Sequence, residues 1–399
     1  MKEKFIPIIL GTDRNSYAIA KDFHKNYGVR SIAIGKKRLL ETRYSKIMSI
    51  MTYEDFFDEQ FFVSKLLEIG KLLKNDYENL ILVACGDNYS NYLSRNKDVL
   101  EKYFIVPYAT KDLNEKLENK INFYRLCDLN NIDYPKTVII DSKYDEYDLD
   151  FEFPVILKAN DSIKYLYSFF KGKKKAYVIY DQEELDNVIK SIYTSDYEGA
   201  LLIQEYIRGG NETSFVLTTY SDSNGVVKFM GLYNVILEHP APHEIGNYAA
   251  VMNDYNKEVF KKYESLLNKI GYVGLAHFDL KYDFVEDKYK VLEMNLRQGR
   301  GNYVSESGNF ISTFLVEDYV YSRKLKLKYA FEDILWRDVP FITLFKYSDK
   351  RYYKKIIKLI LRRKVGTNLY YKKDFSVKRL FVILRLYRAS NKMFKIFYK

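Results

Sequence analysis

The sequence predicts an α/β domain, followed by an α+β domain and a basic helical segment at the C-terminal end. Over residues 1–110, short apolar runs alternate with amphipathic helical stretches, which is typical of a doubly wound, mostly parallel sheet. From about residue 153 the pattern changes to strands joined by polar turns. Lys and Arg dominate the last fifty residues. The predicted domains are therefore residues 1–110, 111–325 and 326–399.

The first predicted domain contains five strands and two helices. The predicted strands are residues 5–10, 29–34, 47–51, 80–85 and 104–107, and the predicted helices are residues 15–27 and 55–73. Gly11-Thr-Asp13 and Gly86-Asp-Asn88 each follow a strand, at the carboxyl edge where open sheets bind ligands. No G-x-G-x-x-G occurs, so the dinucleotide fingerprint is absent. Asp13 and Asp87 are minor candidates for substrate contacts.

The second predicted domain places lysines at the ends of two elements. Helices are expected over residues 113–120 and 122–131, so Lys120 closes the first of them. Lys158 ends an apolar strand, and a lysine-rich stretch that contains glycine follows it at residues 162–175. The later predicted elements are strands at 200–207, 214–220 and 226–237, and a helix at 254–270 with Asp254 as its N-cap.

A β-hairpin is predicted over residues 275–283 and 289–300, around a short polar turn. Because strand side chains alternate between faces, a turn centred near residue 286 sets Asp279 opposite Glu293 and His277 opposite Asn295. Two carboxylates and an amide oxygen that converge in this way form a hard oxygen site suited to Mg²⁺. The alternative interpretation is a half-solvated hairpin whose charged residues pair with one another.

The positive charge of the chain is concentrated in its tail. The 399 residues carry a net charge of +11, of which residues 351–399 supply +15 through sixteen Lys and Arg and one acid, leaving −4 on the rest. This distribution argues against a nucleic-acid-binding fold. Cys85 and Cys127 lack metal-site spacing and fit free thiols of a reducing compartment. No apolar run of about 18 residues occurs, so a cytoplasmic protein is expected.

Several of these marks, taken in order, resemble the ATP-grasp superfamily over roughly residues 110–325. Local patterns are similar to those of the D-aspartate ligases of peptidoglycan synthesis along most of the chain. The patterns include Thr42-Arg-Tyr-Ser-Lys-Ile47, Ala84-Cys-Gly-Asp87, Asn119-Lys-Ile-Asn-Phe-Tyr124, Phe278-Asp-Leu-Lys-Tyr-Asp283 and Glu293-Met-Asn-Leu-Arg-Gln-Gly-Arg300. The resemblance implies an ATP-grasp fold behind a pre-ATP-grasp α/β domain, with a nucleotide lid at about 150–205 and a metal-binding subdomain at about 206–325.

The resemblance also implies a reaction and its site. ATP would phosphorylate a carboxylate, and an amine would then displace phosphate to form an amide. The metal ligands would be Asp279, Glu293 and Asn295, holding one or two Mg²⁺ ions, with Mn²⁺ as an alternative. The ATP-binding residues would be Lys120, Lys158, Lys175, Gln204, Glu205, Tyr206, Ile207 and Glu212. Arg297 would stabilise the transferring phosphoryl group and Arg300 a substrate carboxylate.

The substrates and the role of one histidine stay open at this stage. D-Aspartate and an amine-bearing muropeptide precursor are the expected substrates. The alternatives are another amino acid joined to a cell-surface polymer or small metabolite, or an inactive nucleotide-binding scaffold. His277 replaces an arginine that related ligases often carry, and it is either catalytic or a packing residue hydrogen-bonded to its neighbours. Residues 351–399 either contact an anionic membrane at its inner face or pack on the core.

Overall fold

The computed structural model describes residues 2–242, 244, 246–299 and 302–398. The first domain is built on a parallel sheet with the strand order β3-β2-β1-β4. Its strands are β1 (Glu3–Leu10), β2 (Ser31–Gly35), β3 (Met48–Thr52) and β4 (Tyr77–Ala84), and its helices are α1 (Arg14–Tyr27), α2 (Glu59–Leu73), α3 (Asp87–Arg95) and α4 (Lys97–Leu100). Asp13 caps α1 by accepting a hydrogen bond from the backbone N–H of Ser16 (3.0 Å).

Two helices lead from this domain to a small antiparallel sheet. The helices are α5 (Lys111–Glu118) and α6 (Lys120–Asp128). The sheet has the order β5-β8-β6-β7. Its elements are β5 (Thr137–Ile140), β6 (Val155–Ala159), α7 (Ser162–Tyr167), β7 (Ala176–Ile179), α8 (Gln182–Tyr193) and β8 (Leu201–Glu205). The lysine-rich stretch therefore contains the short helix α7 and runs into β7.

An eight-stranded sheet follows, in the order β13-β12-β9-β10-β11-β15-β16, with β14 beside β10. Its strands are β9 (Ser214–Ser221), β10 (Val227–Glu238), β11 (Tyr248–Asp254), β12 (Gly274–Asp283), β13 (Lys288–Asn295), β14 (Lys328–Tyr329), β15 (Leu335–Arg337) and β16 (Val365–Gly366), with α9 (Lys257–Lys269) and α10 (Ile311–Tyr319) between them. One apolar cluster joins Phe23 of α1 to Tyr220, Tyr233 and Trp336. The first domain and the large sheet thus share a core, which fixes the cleft between them.

The basic C-terminal segment packs on the rest of the molecule. Besides its strands it contains α11 (Phe341–Tyr347), α12 (Tyr353–Leu361) and α13 (Val377–Phe397). Arg379 of α13 is buried, with its guanidinium carbon 4.0 Å from the ring centroid of Tyr17 in α1. The Tyr17 hydroxyl donates a hydrogen bond to Asp374 (2.8 Å). Among the described residues, no helix combines the length and the apolar character needed to cross a bilayer.

One predicted strand and one predicted helix differ from the structure for reasons that local contacts explain. Residues 104–107 form one bridge pair, Ile105 with Ile81, instead of a fifth strand, because the chain turns there at a proline that cannot donate to the ladder. The helix predicted from Asp254 begins three residues later, with Asn256 as its N-cap. The reason is that Asp254 still belongs to β11, where it pairs with β10.

Candidate active site

A cleft of about 1220 Å³ lies between the first domain and the large sheet. Ligand pockets for one small molecule usually measure roughly 300–1000 Å³, so this cleft has room for more than one substrate. The first domain, the large sheet and the region of the small sheet all contribute charged and polar side chains to this cleft. They include Asp13, Asp87, Lys120, Lys175, Asp279, Glu293, Asn295 and Arg297.

The oxygen-bearing face of the hairpin borders this cleft. Asp279 pairs with Glu293 and His277 with Asn295, which confirms the register predicted from the sequence. The Asn295 amide nitrogen donates a hydrogen bond to Asp279 Oδ2 (3.1 Å). Burial by itself would raise the pKa of Glu293, but nearby lysine ammonium groups outweigh it and hold this pKa at about 2. The face therefore presents an ionised carboxylate beside two further oxygen ligands, a donor set that fits Mg²⁺.

A β-bulge at Leu292 interrupts the hairpin next to these two acids. Asp279 faces Glu293, but Leu280 faces Val291, so Leu292 has no partner in the ladder. The bulge lets Val291 point into the apolar core while Glu293 points into the cleft. It also turns the carbonyl of Leu292 inward. Bulges that redirect groups in this way are common beside active sites.

Three lysines surround the half-buried carboxylate of Glu293. Lys120 begins α6 instead of ending the preceding helix, and its Nζ donates to the carbonyl of Asn160 (3.1 Å). Burial lowers the pKa of Lys120 and of Lys158 to about 8. Lys175 lies 4.0 Å from Glu293, whose charge raises the pKa of this lysine. Their shared positive field is suited to the phosphates of a nucleotide.

The Tyr124 hydroxyl is a functional group that the residue-by-residue prediction missed. It donates to the Leu292 carbonyl (2.8 Å) and accepts from Lys158 Nζ (3.2 Å) and Gln204 Nε2 (3.2 Å). This hydroxyl thus connects Leu292 of the bulge with Lys158, a phosphate-binding candidate, and Gln204, an adenine-binding candidate. The sequence held a signal for it, because Tyr124 follows Lys120 by four residues and therefore shares its helix face.

The side chain of Glu205 is engaged in a structural ion cluster. Its carboxylate accepts hydrogen bonds from the backbone N–H of Lys136 (2.9 Å) and from Lys290 Nζ (2.6 Å). Lys290 also lies 3.0 Å from Asp283 and 2.8 Å from Glu286. Within the described chain this is the one group of three carboxylates close enough to hold a metal, and the buried Lys290 ammonium already contacts all three.

The other nucleotide candidates lie away from the cleft. The Tyr206 ring centroid is 5.9 Å from Lys281 Nζ, and Ile207 is buried. Glu212 accepts a hydrogen bond from the backbone N–H of Gly210 (3.0 Å). In the described part of the chain, neither residues 204–207 nor Glu212 belongs to the cleft wall.

Arg297 joins the two walls of the cleft. Its Nε and Nη2 donate to the two oxygens of Asp87 in α3 (2.7 and 3.2 Å), and Nη2 also reaches Asn295 Oδ1 (3.4 Å). Such a bidentate pair fixes the plane of the guanidinium group. Arg300, the predicted substrate-binding arginine, lies outside the described residues. His277 is buried in β12 with its Nε2 atom 3.4 Å from Asp279 Oδ1.

Comparison with known proteins gives one relative that matches along its whole length. The chain is 35% identical to "D-aspartate ligase" of Enterococcus faecium (strain Aus0004) over 409 aligned residues, which cover 99% of this chain and 97% of that protein. No family model matches the chain.

Solved structures share the fold at low sequence identity. An ADP complex of N5-carboxyaminoimidazole ribonucleotide synthetase superposes with a TM-score of 0.62 and 10% identity, covering 100% of this chain and 99% of that one. An L-amino acid ligase from Bacillus licheniformis has a TM-score of 0.56 and 14% identity, covering 79% of this chain and 74% of that one. At these identities the likeness concerns the fold alone.

We predict that Tyr124→Phe weakens MgADP binding about 5- to 10-fold. The loss of one hydroxyl that positions Lys158 and Gln204 corresponds to about 1 kcal/mol. Titration calorimetry checks the effect. Tyr134→Phe is the matched control, since its ring stacks on Tyr124 at 4.5 Å but its hydroxyl donates to Asp128. Equal affinity in both variants would contradict the role of the Tyr124 hydroxyl.

We also predict that MgADP affinity is full below about pH 8 and declines above it. Lys120 and Lys158 lose their charge as the pH passes their lowered pKa of about 8, and the phosphates then lose two cations. Binding measured from about pH 7 to about pH 9.5 tests this window. A Lys120→Arg, Lys158→Arg variant, whose cations do not titrate there, is expected to bind without the decline. Constant affinity of the wild type across the range would refute the prediction.

Proposed function

This chain belongs to the D-aspartate ligase family and has the ATP-grasp fold of carboxylate–amine ligases; on that premise we propose that it uses ATP to join the β-carboxylate of D-aspartate to a lysine amine of a peptidoglycan precursor. The observation that carries the proposal is the oxygen face of the hairpin with three lysines beside it, of which Lys120 is buried, Lys158 half-buried and Lys175 exposed. Asp279 and Glu293 are set opposite each other on that face, and the three lysines that lower the pKa of Glu293 lie around it.

The proposed reaction has two steps. A carboxylate oxygen of aspartate attacks the γ-phosphorus of ATP, and ADP leaves, which gives an acyl phosphate. The amine nitrogen then attacks the acyl carbon, the carbon–oxygen bond to phosphate breaks, and the amine loses a proton as the amide forms. Because phosphoryl transfer needs positioning and charge neutralisation more than covalent help, lysines and arginines supply most of the catalysis.

Each candidate site residue that the structure describes has a proposed role in these two steps. Asp279, Glu293 and Asn295 would hold Mg²⁺, which when bound neutralises phosphate charge. Lys120, Lys158 and Lys175 bind phosphate oxygens, and the lysine-rich stretch covers them and excludes water from the acyl phosphate. Arg297, oriented by Asp87, stabilises the charge that develops on the transferring group. Backbone and side-chain groups of residues 204–207 contact adenine, and Glu212 accepts hydrogen bonds from ribose.

The cleft on the side of the first domain is the proposed place for the amino acid and the amine. Its volume of about 1220 Å³ accommodates both, and Asp13 and Asp87 lie on its wall. The same chemistry also serves a ligase that joins another amino acid to a cell-surface polymer or a small metabolite. An inactive nucleotide-binding scaffold is disfavoured, because a scaffold has no use for Lys158 beside a complete set of metal ligands.

We predict phosphate release and amide formation with D-aspartate, ATP, Mg²⁺ and the lysine-bearing muropeptide, and none with L-aspartate. Asp279→Asn is expected to lower turnover at least about 100-fold, because it removes a charge that organises the transition state. Asp287→Asn, in the exposed turn of the same hairpin, is the matched control and should retain activity. Phosphate assay and mass spectrometry give the readout. Failure to form an amide with any amino acid would overturn the proposal.

We propose in addition that α13 binds an anionic membrane surface, which places the enzyme in the cytoplasm at the inner face of the membrane. One side of the helix is buried in the protein. The opposite side exposes Val377 (65%), Phe381 (68%) and Leu384 (41%). Helical spacing continues this outward side through basic residues, namely Arg385, Arg388, Lys392 and Lys395. Apolar side chains among basic ones are what anionic lipid surfaces bind.

This membrane proposal predicts salt-sensitive sedimentation with phosphatidylcholine–phosphatidylglycerol vesicles and little with phosphatidylcholine alone. Phe381→Ser should weaken the binding, because it removes the largest exposed apolar group of that side. Phe284→Ser is the matched control, an equally exposed phenylalanine in the hairpin turn (63%). Absent binding, or binding unaffected by salt, would rule the membrane contact out.

A further inference from the structure

A buried histidine, His277, contacts the metal-ligand candidate Asp279 from the same face of β12, at the wall of the cleft. We infer that His277 is a positioning residue: its imidazole presents Nε2 to the Asp279 carboxylate and steers it, with two hydroxyl groups beside its other nitrogen. The inference rests on the proposed metal role of Asp279, and it assigns His277 no contact with substrate.

The two ring nitrogens have different neighbours. Nε2 lies 3.4 Å from Asp279 Oδ1, and a carboxylate oxygen accepts hydrogen bonds from a ring N–H. Nδ1 lies 3.2 Å from Thr218 Oγ1 and 3.5 Å from the Tyr303 hydroxyl, and the two hydroxyls are themselves 2.9 Å apart. A proton on Nε2 satisfies the contact with the carboxylate, while Nδ1 either accepts a hydrogen bond from a hydroxyl or donates one to it.

The ring has little freedom to leave this position. His277 is 3% exposed and lies in the sheet between Thr218 of β9 and Asn295 of β13. Gly299 passes so close that a Cβ atom there would stand 2.2 Å from His277 Nδ1. Any larger side chain at residue 299 would clash with the imidazole ring, so a glycine is required there. The other end of the ring contacts Asp279 through Nε2.

The consequence is that both oxygens of Asp279 have a fixed neighbour. His277 stands at Oδ1, and the Asn295 amide donates to Oδ2. Groups that contact a metal ligand without binding the metal themselves set the orientation of that ligand, and their loss typically weakens metal binding about 10- to 100-fold. His277 would therefore act on metal affinity and not on the reacting atoms.

Calorimetric titration of the nucleotide-free protein with Mg²⁺ADP, and of its ADP complex with Mg²⁺, tests the inference without any amino-acid substrate. We expect His277→Ala to weaken Mg²⁺ binding at least about 10-fold. His277→Gln, whose amide N–H replaces Nε2–H, should recover most of the loss. Thr218→Val is expected to weaken binding severalfold. Thr219→Val is its matched control, because this neighbouring buried threonine faces away and bonds to the Ala276 carbonyl.

A second measurement uses the unsubstituted, metal-free protein, so it does not depend on the folding of a variant. The chain has four histidines, and ¹⁵N-histidine labelling with His277→Gln for assignment isolates the signals of interest. Long-range ¹H–¹⁵N spectra should show that His277 carries a proton on Nε2. A ring that carries its proton on Nδ1 alone would overturn the inference.

The kinetic parameters separate this inference from the proposed function. A positioning role predicts that His277→Ala raises the Mg²⁺ concentration needed for half-maximal rate and that excess Mg²⁺ restores kcat. Unchanged Mg²⁺ affinity with a lower kcat would mean that His277 acts on substrate, which contradicts the inference. The absence of ligase activity in the wild type would defeat the proposed function, while the calorimetry and the spectra would still decide the role of His277.

Discussion

The register of one hairpin, with its bulge at Leu292, determines the arrangement of the site. On the side of the bulge away from the hairpin turn, strand alternation directs Asp279 and Glu293 into the cleft. On the side toward the turn, the extra residue shifts the alternation, so that Val291 enters the core. The carbonyl of Leu292 itself accepts hydrogen bonds from Tyr124 and Lys158. A hairpin without the extra residue would bring either the acids or the core contacts to the correct face, and not both.

Beside this hairpin, lysine side chains lie where desolvation disfavours their charged form. Lys120 and Lys158 are desolvated enough that their pKa falls to about 8, while the pKa of Glu293 is held at about 2. Asp279 and Glu293 supply two negative charges against the three lysines, so these five side chains together carry an excess of positive charge. A polyphosphate would relieve that excess, which is why the site favours a nucleotide over a neutral ligand. The bidentate pair of Arg297 with Asp87 extends the same principle across the cleft.

The strand pattern and the ordered family marks predicted the fold class, and alternation alone placed Asp279 opposite Glu293. The bulge was not predictable, because Leu292 reads as one more apolar residue of a strand. Thr218 and Gly299 were missed for a related reason: each acts through a neighbour distant in sequence, and a threonine in a strand or a glycine after one has a common structural use. The basic tail was the most ambiguous segment, since packing and surface binding require the same amphipathic helix, and the structure shows that one side packs while leaving the other exposed.

The central claim is that this site transfers a phosphoryl group from ATP to a carboxylate. Turnover of aspartate labelled with ¹⁸O in its β-carboxylate tests it most directly, with the released phosphate analysed by mass spectrometry. An acyl phosphate requires that one carboxylate oxygen leaves with phosphorus, so the account predicts one ¹⁸O atom in each phosphate released per amide formed. Unlabelled phosphate, or ¹⁸O recovered in AMP, would contradict it.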